Sequence, residues 1–105
     1  MNEQVKVMWC EALRSGKYVQ TSGMLKREDC YCVIGVLVDL HSKIHQSSWT
    51  RKNGCYTYLR HAVSIPDEVQ KWANLNCKDV NKLMNRNDTC GHSFLKLADY
   101  IHNHL

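Results

Sequence analysis

The chain has 105 residues, 44% of them hydrophobic and 23% charged, which is enough for one folded domain with its own core and not for two. Its formal charge of +4 and pI near 8.8 suit a phosphate-bearing or acidic partner but fall short of the basic density of a dedicated DNA-binding domain. The longest apolar run, Cys32 to Leu40, is broken by Gly35 and Asp39 and is too short to span a bilayer; the start, MNEQVKVMWCEAL, lacks a signal-peptide core. We therefore expect a cytoplasmic protein with no membrane partner.

The first predicted helix runs from Asn2 to Ser15, because Val5, Met8, Trp9, Ala12 and Leu13 recur at helical spacing. Gly16 suits the left-handed position that ends a helix. Tyr18 to Leu25 reads as extended, with Gly23 as a break. In CYCVIGVLVDLHSKIH the β-branched residues argue for a strand. The segment is long, however, and Val33, Val36, Leu37, Leu40 and Ile44 make a helical stripe. Length favours a buried helix from Cys30 to Gln46, and Gly35 would allow another helix to pack closely.

SSWTRKNGCYTYLRH carries a hairpin signal. Asn53-Gly54 fits a type I′ turn between Trp49–Arg51 and Cys55–Leu59, which puts Tyr56 and Tyr58 on one face. Pro66 then suits the first position of a helix, with Asp67 and Glu68 in its first turn and Val69, Trp72 and Ala73 facing inward. A short helical turn is predicted over Val80 to Met84. The last helix carries Phe94, Leu97, Ala98, Ile101 and Leu105 on one stripe, with capping candidates between Asn87 and Ser93. The predicted fold is a single α+β domain over residues 1–105, with about four helices packed on a small antiparallel hairpin or sheet.

Six cysteines without a secretory signal read as free, buried thiols rather than a disulfide framework. Cys30-x-Cys32 followed by His41-x3-His45 suggests zinc, but the Cys spacing is tighter than in zinc fingers. On one continuous helix Cys30 and His41 would also lie ~16 Å apart. No metal and no cofactor is expected. No HExxH, GxSxG, GxGxxG or phosphate-cradling glycine loop occurs, so the chain reads as a binding protein and not an enzyme. A Cys/His catalytic site is the remaining enzymatic alternative.

Two polar clusters are candidate binding surfaces. In the first, Arg14 and Lys17 would take phosphate or carboxylate charge, and Tyr18 would stack or pack. Gln20, Thr21, Ser22, Asn87, Asp88 and Ser93 would supply directional hydrogen bonds. The second, on the hairpin, is a candidate nucleic-acid face of Trp49, Arg51, Lys52, Tyr56, Tyr58 and Arg60. For each there is a plain structural alternative: a capped helix end with basic residues in its last turn, and a charge-guarded hairpin edge.

W-x-x-A-L-R-S-G-x-Y-x-Q at Trp9 to Gln20, C-x-x-G-V-L-x-D-L at Cys32 to Leu40 and N-D-x4-S-F-x3-A-D-Y-I at Asn87 to Ile101 together resemble a family of small uncharacterised phage and prophage proteins. Members of that family often carry a second cysteine beside the one matching Cys32. Here Tyr31 and Val33 flank it, which further weakens a metal reading. The resemblance implies a phage accessory protein that acts by binding. It would block a host defence protein or sequester a cyclic or other nucleotide messenger, and it assigns no site residues. A nucleic-acid-binding phage regulator is the alternative, and a homo-oligomer would suit a sponge or inhibitor.

Overall fold

The computed structural model describes all of residues 1–105. In chain order the elements are α1 (Glu3–Arg14), β1 (Val19–Gln20), β2 (Lys26–Arg27), β3 (Cys30–Tyr31), α2 (Val33–Ile44), β4 (Thr50–Lys52) and β5 (Cys55–Thr57). The chain ends in α3 (Asp67–Ala73), α4 (Cys77–Asp88) and α5 (Phe94–His104). The α+β class is as expected, but there are five helices and two sheets. No helix is long and apolar enough to cross a membrane.

The organising element is α2. Val33, Ile34, Val36, Leu37 and Val38 are consecutive or nearly so and completely buried, as in a helix surrounded on all sides. Each such side chain contributes roughly 1.5–3 kcal/mol by leaving water. Helix α1 packs between α2 and α5. The Trp9 indole N–H donates to the Val33 carbonyl at 3.0 Å, so the largest buried side chain also has its polar atom satisfied. Helices α3 and α4 also pack against α2.

Local chemistry sets the helix ends. Asn2, Asn76 and Ser93 each accept a backbone N–H three residues ahead, at 3.0, 2.8 and 3.2 Å, as N-caps do. Gly16 has φ +75°, the conformation expected just beyond a helix end. Pro66 sits one residue earlier than predicted, at the cap of α3 rather than its first turn.

The predicted helix over Cys30 to Gln46 divides. Cys30 and Tyr31 form β3, Cys32 caps α2 through its sulfur, and Gln46 lies beyond the end with φ +53°. β3 is the centre of a small sheet ordered β1-β3-β2, parallel to β1 and antiparallel to β2. This mixed sheet was not foreseen, because strands of two residues carry no readable alternation. The close approach at Gly35 is real, but the neighbour is backbone rather than a helix: a Cβ there would lie 1.8 Å from the Leu25 carbonyl oxygen.

The hairpin forms as expected around Asn53 (φ +54°) and Gly54 (φ +81°), pairing Lys52 with Cys55, Arg51 with Tyr56 and Thr50 with Thr57. It ends before Tyr58, because Leu59 and Arg60 both take positive φ in a tight turn closed by Tyr58 and His61. The short turn predicted over Val80 to Met84 is a helix of twelve residues, α4. All six cysteines are free, but only Cys10 and Cys32 are buried; Cys55, Cys77 and Cys90 are exposed, contrary to the expectation of buried thiols.

Candidate functional site

The predicted cluster from Arg14 to Ser22 separates into three parts. Arg14 turns toward α5 and pairs with Asp99 at 2.8 Å. An exposed pair of this kind contributes little to stability, but it occupies the guanidinium. Lys17 and Tyr18 face the other way, over a groove of about 390 Å³ floored by Met8, Ala12 and Leu40. Lys43 of α2 completes the rim, and Glu11 is the acid beside it.

Asp39 holds this groove in shape. Its side chain is only 9% exposed. It accepts the Tyr18 hydroxyl at 2.6 Å and the Trp49 indole N–H at 3.0 Å, and the Lys43 ammonium lies 3.3 Å away. Lys43 also donates to the Tyr18 oxygen at 3.2 Å. Burial, followed by the bond to Asp39, pushes the Tyr18 phenol up to about 12, so it remains a neutral donor. Lys17 has no ion-pair partner, while Lys43 shares its charge with Asp39.

Gln20 and Asn87 meet, as their joint prediction requires, but they are tied to the fold. Asn87 is 4% exposed. Its carbonyl oxygen accepts from Gln20 Nε2 (2.8 Å) and the Val33 N–H (3.1 Å). Its amide donates to the Thr21 carbonyl (2.9 Å) and Asp88 Oδ1 (2.8 Å). Gln20 also donates to the His92 carbonyl at 2.8 Å. The capacity of the Asn87 amide is thus fully used in joining α4, β1 and the start of α2. Thr21 and Ser22 line a shallow, wholly polar hollow beside it, and Ser93 caps α5.

On the hairpin the structure corrects one of the six predicted residues. Tyr58 is 1% exposed, and its hydroxyl lies 2.8 Å from His41 Nδ1, so it offers no face to a base. Trp49 is half-buried and donates its indole N–H to Asp39, which fixes the ring. Arg51 pairs with Glu28 at 3.3 Å. Lys52, Tyr56 and Arg60 remain at the surface or partly so. Sequence reasoning missed Lys26, Tyr31, Lys43 and Asp39. Apart from the Lys43–Asp39 pair within α2, their partners lie on other elements.

The residues weighed for zinc are placed otherwise. Cys32 accepts the Gly35 N–H at 3.3 Å, and burial pushes its thiol up to about 11. His41 and His45 stack at 4.0 Å, both edge-on to Trp72. Burial, and then the neighbouring His45, holds His41 below its ordinary value of 6.5, opposed by Glu68. The unfolded chain therefore takes up the His41 proton first as pH falls. Stability should be full above about 6.5 and decline through the window below it, until the folded-state value is passed. On the alkaline side, Cys32 should cost stability as pH rises from about 9 to about 11. Urea midpoints between pH 5 and 8 test the acidic limb; His41→Gln should flatten it, and an unchanged slope would contradict this assignment.

A second groove, of about 460 Å³, lies between α3, α4 and the 61–65 loop, and both His61 and Cys77 line it. Gln70 donates to the Cys77 sulfur at 3.4 Å, and Ser64 lies 2.9 Å from His61 Nδ1.

A family model described as "Domain of unknown function (DUF8296)" matches residues 1–105. No curated protein and no solved structure matches the chain.

Proposed function

The chain belongs to the family described as a domain of unknown function (DUF8296), and from its surface we propose a non-enzymatic phage accessory protein that binds an anionic partner. In this reading it counters host defence by sequestering a nucleotide messenger, or by covering an acidic surface on a defence protein. The supporting observation is the groove of Lys17, Tyr18 and Lys43: two cations over an apolar floor, with a phenol fixed by Asp39 and Lys43. Its volume falls in the range of small-ligand sites. The apolar floor suits a base or sugar, and the ammonium groups suit phosphate. The phage setting comes from the sequence resemblance alone.

Calorimetry and thermal shift with a panel of cyclic mono- and dinucleotides test the messenger form. A true ligand at a hundred times its Kd should add about 2.7 kcal/mol of stability. Lys17→Glu with Lys43→Gln should abolish that gain and leave the ligand-free melting temperature within a few degrees, since both side chains are exposed and neither change sets a second carboxylate against Asp39. Absence of heat and shift across the panel rejects the messenger form. The shared groove of Cys77 and His61 favours a second reading, a small thiol enzyme. Alkylation of Cys77 that leaves the protein's activity in infected cells intact removes it.

A further inference from the structure

The protein's excess charge is not spread evenly. Residues 15–65 hold seven Lys or Arg and three Asp or Glu, so the whole +4 lies there; the rest of the chain balances at seven of each. The same segment carries a row of rings. Tyr18 and Tyr31 meet edge to face at 5.0 Å, and Tyr31 lies 6.1 Å from Trp49. Strand register sets cations into this row, because Lys26 is paired across the sheet with Tyr31, and Arg51 across the hairpin with Tyr56. The Lys26 ammonium lies 4.9, 5.6 and 4.6 Å from the ring centres of Tyr31, Trp49 and Tyr56. Lys43 stands over Tyr18 at 5.4 Å at the groove end.

Lys26 is the telling member. Lys43 and Arg51, at the two ends, each have a carboxylate partner, whereas Lys26 has none. Its ammonium is held by rings alone, an attraction of roughly 0.5–1 kcal/mol that fixes its position without neutralising it. A positioned, unneutralised cation beside half-buried tyrosines matches what a single strand offers: a phosphate for the lysine, with bases to lie against the rings.

We infer that the Lys17–Tyr18–Lys43 groove is one end of a continuous strip that binds a single-stranded oligonucleotide, with Lys26 holding a second phosphate. This rests on the nucleotide reading of the groove and extends it to a longer ligand. An acidic protein segment would satisfy the lysines but leave the rings unused.

Titration calorimetry with thymidine monophosphate, tetrathymidylate and octathymidylate tests the strip. Tetrathymidylate should bind at least tenfold more tightly than the monophosphate. Its log–log salt slope should be about two to three times the ~0.7 per contact of a single strand. Lys26→Gln should weaken tetrathymidylate about tenfold and leave the monophosphate unchanged, while Lys26→Arg should retain binding; circular dichroism confirms that each variant is folded. If the monophosphate and tetrathymidylate bind equally and Lys26→Gln changes neither, the strip is overturned and the groove reading stands. If neither binds, the strip is overturned, and the groove reading is decided separately by the cyclic-nucleotide panel. If a glutamate decapeptide binds as tightly as tetrathymidylate, the oligonucleotide assignment is overturned in favour of an acidic protein.

Discussion

Gly35→Ala should leave little folded protein at 37 °C. On helix propensity alone the change should help by about 1 kcal/mol. Packing reverses the sign. The new Cβ would sit 1.8 Å from the Leu25 carbonyl oxygen and 2.8 Å from its carbon. The Leu25 backbone cannot simply move aside. Its N–H donates to the Ala62 carbonyl at 2.9 Å, its carbonyl accepts from Cys32 at 3.1 Å, and its side chain is completely buried. Separating the two segments would cost those bonds and open the core around α2, which we put at more than about 3 kcal/mol. For a domain of this size that is a fall in melting temperature of roughly 12 °C or more. A melting temperature at or above the wild-type value would show that the Leu25 segment yields easily.

Asn87→Ala should follow closely, at about 3 kcal/mol. It removes one amide but strands several groups, including the buried Val33 N–H at the start of α2 and the Gln20 amide. Asn87→Asp separates the two halves of the amide. It keeps an acceptor for Val33 and Gln20, loses the donor to the Thr21 carbonyl, and places a carboxylate beside Asp88. Its deficit should therefore shrink as pH falls through the carboxylate range, whereas that of Asn87→Ala should not. Equal deficits at all pH values would contradict this account of the amide. Loss of ligand binding with unchanged stability would return Asn87 to the role of a binding residue.

These two positions also show what the sequence could reveal. The stripes of α1 and α5, the Gly16 stop, the Asn53-Gly54 turn and the Ser93 cap rest on interactions within a few residues, and local pattern carries them. Helix α4 was underestimated because its inward stripe is Val80, Leu83, Met84 and then Asn87. A polar residue in the fourth place hides the period. Asn87 becomes intelligible only when Gln20 and Val33, more than fifty residues away, are brought to it. Tyr58 failed as a surface residue for a similar reason: its hydroxyl has a buried hydrogen-bond partner in His41, which hairpin alternation cannot reveal. In the candidate groove Lys17 and Tyr18 were legible as unspent polar groups after a helix stop. Lys43 and Asp39 were not, because they complete the site from another helix.

If the basic, aromatic side of the molecule, around Lys17, Tyr18 and Lys43, is the binding surface proposed above, a ligand should perturb it before any other face. Amide chemical-shift mapping during titration with tetrathymidylate tests this most directly. Saturable shifts centred on Lys17, Tyr18, Lys26 and Lys43 are expected, fading toward the α1–α5 face where Arg14 is paired with Asp99. Saturable shifts confined to the α1–α5 face, or none at millimolar ligand, would contradict it.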